Sequence, residues 1–199
     1  MSEAIQRESA LHGALGRFSA AANGLLRFTE RGHLGYVNLR GDPTDAGFLA
    51  AARSVLGFDL PIAANTVAEG GAHAAFWLGP TEWLVLTTPL AERGTANSLR
   101  TALRGQFASV TEVGGGMTCL RLEGTPARAL LERECPLDLH PREFPAGRCA
   151  QSHFAKAPVL LHSRGRDCVD VFIRRSFADY LWALLTDLGA EFGVVAARG

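Results

Sequence analysis

Four residues suited to holding zinc, Cys135, His140, Cys149 and His153, fall within one stretch of the chain. Thiolate and imidazole are the right donors, but structural zinc sites bring their ligands in close pairs such as C-x-x-C, and only Cys149 and His153 approach that spacing. Core cysteines beside surface or hydrogen-bonded histidines are the better expectation. Ser152 stands next to His153, the usual base for a serine nucleophile. Neighbours on a strand point to opposite faces, and 149–154 reads as extended, so the two side chains are not expected to meet. No G-x-S-x-G elbow presents another serine. The run Gly114-Gly115-Gly116 lacks the G-x-G-x-x-G spacing of a phosphate cradle and precedes a strand, whereas that fingerprint follows a strand and opens a helix. It reads as a hinge. In Arg174-Arg175-Ser176, where a strand feeds the last helix, Ser176 is expected to cap the helix and an arginine to face solvent, a partner or an internal carboxylate. Asp59 and Asp138 follow two helices at matching places, and a turn role explains both. These residues assign no catalytic group, no metal ligand and no cofactor contact.

The elements that must position these groups occur twice. Leu39-Arg40-Gly41-Asp42-Pro43 and Leu122-Glu123-Gly124-Thr125-Pro126 each end an alternating apolar strand at a glycine. Asp42 or Thr125 is then expected to cap a helix whose first turn takes the proline. In the first copy Ala46, Leu49, Ala50, Val55 and Leu56 form an apolar stripe that stops near Gly57. In the second, Ala127, Leu130 and Leu131 lead to Cys135-Pro136-Leu137-Asp138-Leu139-His140-Pro141, where the prolines forbid further helix. Strand material follows at 74–79 and 83–87, and again at 157–162 and 168–174. Each set is followed by a helix: Leu99, Leu103 and Phe107 mark the first, and Phe177, Tyr180, Leu181, Leu184, Leu185 and Leu188 the second.

This order predicts an α+β protein of two duplicated strand-helix-strands-helix units related by a pseudo-twofold axis. The first unit is expected at 25–113 and the second at 117–199, packed as one domain behind an N-terminal arm, 1–24. In the arm Leu11, Leu15 and Phe18 have helical spacing that Gly13 and Gly16 weaken, suggesting a loose segment. A hairpin from Leu25 to Leu39 is expected to turn at Arg31-Gly32.

With 199 residues, of which 47% are apolar and 20% charged, the chain can bury a proper core without disulfides or metal. Lys and Arg total 20 against 20 Asp and Glu, so no broad field favours nucleic acid or an anionic membrane. The charged segment Met1 to Glu8 lacks the apolar stretch of a secretory signal, and no span is long enough to cross a bilayer, which predicts a cytoplasmic protein. The cysteines, Cys119, Cys135, Cys149 and Cys168, are far apart among apolar neighbours, as buried reduced thiols are. Aromatic residues gather from Ala74 to Leu86, where both faces of the strands are apolar. Such strands are buried on both sides, between sheet and helices first, or in part by another protein, since tryptophan favours interface centres.

Three motifs, Leu78-Gly79-Pro80-Thr81-Glu82-Trp83-Leu84, Cys135-Pro136-Leu137-Asp138-Leu139 and Arg175-Ser176-Phe177-Ala178-Asp179-Tyr180-Leu181-Trp182, occur in that order. In them the chain resembles the gamma subunit of heterotetrameric sarcosine oxidase, from about Leu34 to Gly193. More distantly, L-G-P-x-E-W is similar to the folate-binding fold of glycine-cleavage aminomethyltransferases, whose duplicated units agree with the repeat. The resemblance implies a noncatalytic structural subunit with alpha, beta and delta partners. Such a complex oxidises sarcosine through flavin to an imine, yielding glycine, hydrogen peroxide and either formaldehyde or 5,10-methylenetetrahydrofolate. It also implies that FAD, FMN, NAD and tetrahydrofolate belong to the alpha and beta partners and zinc to delta, with no cofactor in this chain. The K-G-C-Y-x-G-Q-E signature of related iron-sulfur assembly proteins is missing, and the chain is shorter than a complete aminomethyltransferase. The alternative is a free-standing folate binder or one-carbon transferase, with Glu82 meeting the pterin edge and Trp83 walling the ring.

Overall fold

Strands whose alternate side chains are apolar on both faces need cover on both sides, and the chain supplies it in four layers. The computed structural model describes residues 8–17 and 24–198. After α1 (His12–Arg17) and β1 (Leu26–Glu30) come β2 (Gly35–Arg40), α2 (Ala46–Leu56), β3 (Val67–Gly70), β4 (His73–Gly79), β5 (Glu82–Thr87), α3 (Glu92–Ala102) and β6 (Ser109–Glu112). A 3-10 turn, Gly114–Gly116, leads to β7 (Met117–Glu123), α4 (Ala127–Glu132), β8 (Cys149–Phe154), β9 (Ala157–Gly165), β10 (Cys168–Arg174), α5 (Ala178–Gly189) and β11 (Val194–Arg198). A five-stranded sheet has the order β3-β4-β5-β2-β6, and a six-stranded sheet the order β11-β1-β7-β10-β9-β8.

Each strand's alternation sorts its side chains between layers. Val37, Leu39, Ala75, Trp83 and Val85 leave the five-stranded sheet toward α2 and α3. Tyr36, Phe76 and Leu84, one residue out of phase with these, meet Cys119, Leu160 and Phe172 of the other sheet. The outer face of that second sheet sends Leu120, Leu122, Val169 and Val171 toward α4 and α5. The two sheets are joined along one side by backbone: Thr66 bridges Arg148, and Cys149 N–H donates to the Asn65 carbonyl (3.0 Å).

Several local expectations change. Asp42 does not cap α2; it accepts from Thr44 N–H (2.8 Å) in a tight turn that delays the helix. The cap is Asp45, which accepts from Gly47 N–H (2.7 Å) and Phe48 N–H (3.2 Å), so Pro43 precedes the helix. Pro126, not Thr125, sits at the cap of α4, where no side chain serves and the Gly124 carbonyl takes Ala127 N–H (3.0 Å). Ser176 lies in a 3-10 turn ahead of α5 and does not cap it. The α2 stripe does end at Gly57, whose φ of 85° suits a residue without Cβ.

The expected Leu25–Leu39 hairpin is absent, because β1 and β2 belong to different sheets. β1 pairs with β7 and β11, burying Leu26 and Phe28 in the outer core of the six-stranded sheet. A local glycine turn cannot distinguish a hairpin from a crossing between sheets. In the arm, Leu11 is buried and its N–H donates to Glu30 (3.1 Å), so this part is docked; Phe18 lies outside the described residues. Phe107 is also misplaced by the helical stripe: α3 stops at Ala102, and Phe107 stands beyond it, 98% exposed.

Candidate functional site: a cleft between the sheets

At one end the two sheets part into a cleft of about 520 Å³, lined by Asn38, Glu82, Met117, Gln151, Phe172 and Arg174 among others. Its walls are mostly apolar because they continue the layer between the sheets. Two of its polar side chains are engaged. Glu82, the first residue of β5, accepts from Asn38 Nδ2 (2.7 Å) and Arg40 Nη2 (2.6 Å) across β2. Partial burial works upward on its carboxyl, but the donors Arg40 and Asn38 prevail and hold it below the usual range. Gln151 Nε2 donates to the Leu78 carbonyl (2.8 Å), tying β8 to β4 across the cleft.

The other end of the same layer is ionic. Arg121, Asp170, His162 and Cys149 form one row across β7, β10, β9 and β8. Asp170 is buried and accepts from Arg121 Nε (2.7 Å) and Nη2 (2.9 Å), with Arg31 at 3.6 Å. Arg164 pairs with Glu69 of β3, fastening one sheet to the other. His162, 2% exposed, places Nε2 3.6 Å from Glu69 and its ring edge-on to Phe76, while Nδ1 has no partner. Burial first, then the Arg164 charge, lowers its pKa to about 4, so the ring is neutral near pH 7. A hollow of about 240 Å³ opens beside these residues. Sequence reasoning missed this cluster, although Asp170 and Arg121, each flanked by apolar residues within its strand, signal it.

The residues singled out in the sequence do not converge. Cys135 and Cys149 are buried thiols; Cys149 Sγ donates to the Thr66 carbonyl (3.4 Å), and burial raises its pKa to about 11. His140 and His153 are exposed, and no three His, Cys, Asp or Glu side chains among the described residues are placed to hold a metal. Ser152 and His153 leave opposite faces of β8: Ser152 Oγ accepts from Cys135 Sγ (3.6 Å) on the α4 side, and His153 is in phase with Gln151. Arg175 donates to the carbonyls of Glu8 (3.2 Å) and Ser9 (3.5 Å), and so anchors the N-terminal segment. Asp138 accepts from His140 N–H (2.8 Å) in a turn, and Asp59 pairs with Arg53 (3.1 Å). Trp83 is fully buried against Phe48, with Nε1–H donating to the Pro61 carbonyl (2.7 Å). It therefore lies on the helix side of the sheet, away from Glu82 in the cleft. The pair needed to hold a pterin is split across the sheet.

Two sheets with helices outside and a cleft between them match the fold of an aminomethyltransferase. The glycine-cleavage aminomethyltransferase T of Bartonella henselae superposes with a TM-score of 0.64 over 88% of this chain and 48% of its own, at 14% identity, which is a likeness of fold. Much closer is the heterotetrameric sarcosine oxidase of Corynebacterium sp. U-96: one chain superposes with a TM-score of 0.85 at 29% identity, over 94% of this chain and 96% of that one. The gamma subunit of that strain's sarcosine oxidase is 35% identical over 159 residues, covering 78% of this chain and 75% of its own length. That of Arthrobacter sp. is 33% identical over 193 residues, covering 96% and 93%. The sarcosine oxidase, gamma subunit family matches residues 40–191. The chain belongs to that family.

Proposed function

We propose that this chain is the noncatalytic structural gamma subunit of a heterotetrameric, flavin-dependent sarcosine oxidase of the cytoplasm. Its alpha, beta and delta partners convert sarcosine to glycine, with hydrogen peroxide and formaldehyde or 5,10-methylenetetrahydrofolate, and hold FAD, FMN, NAD, tetrahydrofolate and zinc between them. Family membership supports the assembly. The observation that carries the noncatalytic role is the engagement of the cleft's carboxylate: Glu82 is held ionised by Arg40 and Asn38. A general base needs an affinity for protons near the working pH, and this group is tuned the other way.

The fold is also read as a duplication. Omitting β1, the six-stranded sheet runs β8-β9-β10-β7-β11, and the five-stranded sheet runs β3-β4-β5-β2-β6, element for element in chain order. That correspondence supports units at 25–113 and 117–199, with β1 lent by the first to the sheet of the second. Between the units, Gly114–Gly116 serves as the hinge.

Purification alone and within the assembly tests the function. The isolated chain is expected to carry no flavin absorbance through gel filtration, and the assembly to carry it in proportion to its partner chains. Flavin retained by the isolated chain refutes the noncatalytic role. Saturable heat on titration with tetrahydrofolate would favour the free-standing folate binder instead.

A further inference from the structure

The hollow of about 240 Å³ at the ionic end of the inter-sheet layer holds one positive charge more than its own carboxylates match. Most of its polar groups already have partners. Asp170 is held through both oxygens by Arg121, and Glu69 is held by Arg164. Thr87 donates its hydroxyl to the Thr88 carbonyl (2.9 Å), and His73 Nε2 lies 3.1 Å from Thr95 Oγ1. Two groups are left over. The Arg31 guanidinium reaches Asp170 only at 3.6 Å, beyond hydrogen-bond length, and no other carboxylate among the described residues pairs with it. His162 Nδ1 is buried without a partner, on a side chain only 2% exposed. A buried polar atom left unpaired is costly, and here it stands in the wall of a hollow beside a spare guanidinium.

We propose that this hollow binds a small monocarboxylate with a short apolar body, received by the Arg31 guanidinium and by His162 Nδ1. Arg31 suits the role because its paired N–H groups match the two oxygens of a carboxylate. Its backbone N–H donates to the Cys119 carbonyl (2.8 Å), which fixes the residue against β7, and its side chain is 34% exposed, so a ligand reaches it from solvent. The neutral His162 ring carries one proton, which on Nδ1 serves as a further donor. Charge sets the valence. With Asp170 and Glu69 each matched to its own arginine, a monoanion neutralises Arg31, whereas a second negative charge would face two carboxylates. The ammonium of an amino acid would restore the surplus, which disfavours zwitterions. Leu34, Phe76 and Leu86 also line the hollow and accept a methyl or ethyl group, and the volume admits a few heavy atoms, not a nucleotide or a flavin.

Calorimetric titration of the full chain with sodium propionate at pH 7, beside propionamide and sodium chloride at equal ionic strength, tests the site. Propionate is expected to bind saturably, and propionamide, which keeps the shape and loses the charge, about tenfold more weakly or worse. R31Q should weaken propionate by about tenfold or more. The NMR signals of the His162 ring, assigned by their loss in H162Q, should move with propionate and stay with propionamide. Absence of saturable propionate binding, equal binding of propionamide, or an unmoved His162 ring each overturns the proposal, even where R31Q fails to fold. Repeating the titration on the chain assembled with its partners separates two sources of a carboxylate. Retained binding supports a free ligand, whereas loss of binding means that a partner covers Arg31 and overturns the free-ligand assignment.

Discussion

Acidification from pH 7 to pH 4 is expected to remove about 3 kcal/mol of stability through His162 alone. Its pKa is lowered from 6.5 to about 4 in the folded chain. The unfolded chain therefore takes up the proton first, so the stabilisation is complete above pH 6.5 and is lost as pH falls toward 4. Two-state linkage puts the loss at about 2 kcal/mol by pH 5 and about 3 kcal/mol by pH 4. Little discount for solvent is warranted, because the side chain is 2% exposed and packed edge-on to Phe76. Urea unfolding of wild type and H162Q over this range measures the effect. Subtracting the H162Q curve removes the common contribution of other groups, including Glu82, which also favours the folded state less as it is protonated. Its constant offset does not matter, since the slope carries the prediction. Parallel curves would refute the reasoning, and would mean that Glu69, 3.6 Å away, stabilises imidazolium enough to cancel its burial.

Substitutions at three further buried residues test the packing of the layers. Arg128 of α4 is buried and donates to the carbonyls of Leu139, Phe144, Gly165 and Arg166 and to Ser163 Oγ; R128A should cost about 3 to 5 kcal/mol in chemical denaturation, and R128K should recover little because one ammonium cannot span those acceptors. The Tyr36 hydroxyl is buried between the sheets with no partner, and burial above all drives its pKa upward, so Y36F should leave calorimetric stability unchanged or raise it by about 1 kcal/mol. W83A should cost about 3 to 5 kcal/mol in the melting of the isolated chain, whereas an unchanged melting point with lost partner binding would reassign Trp83 to an interface.

Much of the architecture was legible in local patterns. Both-faced apolar strands from Ala74 to Leu86 required cover on two sides and received it, and the stripe of α2 ended where Gly57 permits a left-handed turn. What failed had competing local solutions. Asp42 and Asp45 are both capping residues within one turn, and composition cannot decide which begins the helix. Arg31-Gly32 marks a turn, but whether the strands beyond it pair is settled by Leu26 and Phe28 seeking the far core, a contact with β7 and β11 across the whole chain. Phe107 continued a helical spacing that Gly105 had already ended.

The ionic row was illegible for a different reason. Asp170 and Arg121 are 49 residues apart, and each alone reads as an odd charge in an apolar strand. Only the sheet register brings them to one face, and only the second sheet buries them. An isolated carboxylate there would be costly, so the paired arginine is a requirement of the architecture before it is a clue to function. The same pressure acts on Glu82 at the open end, where Arg40 and Asn38 occupy the oxygens that a substrate would need.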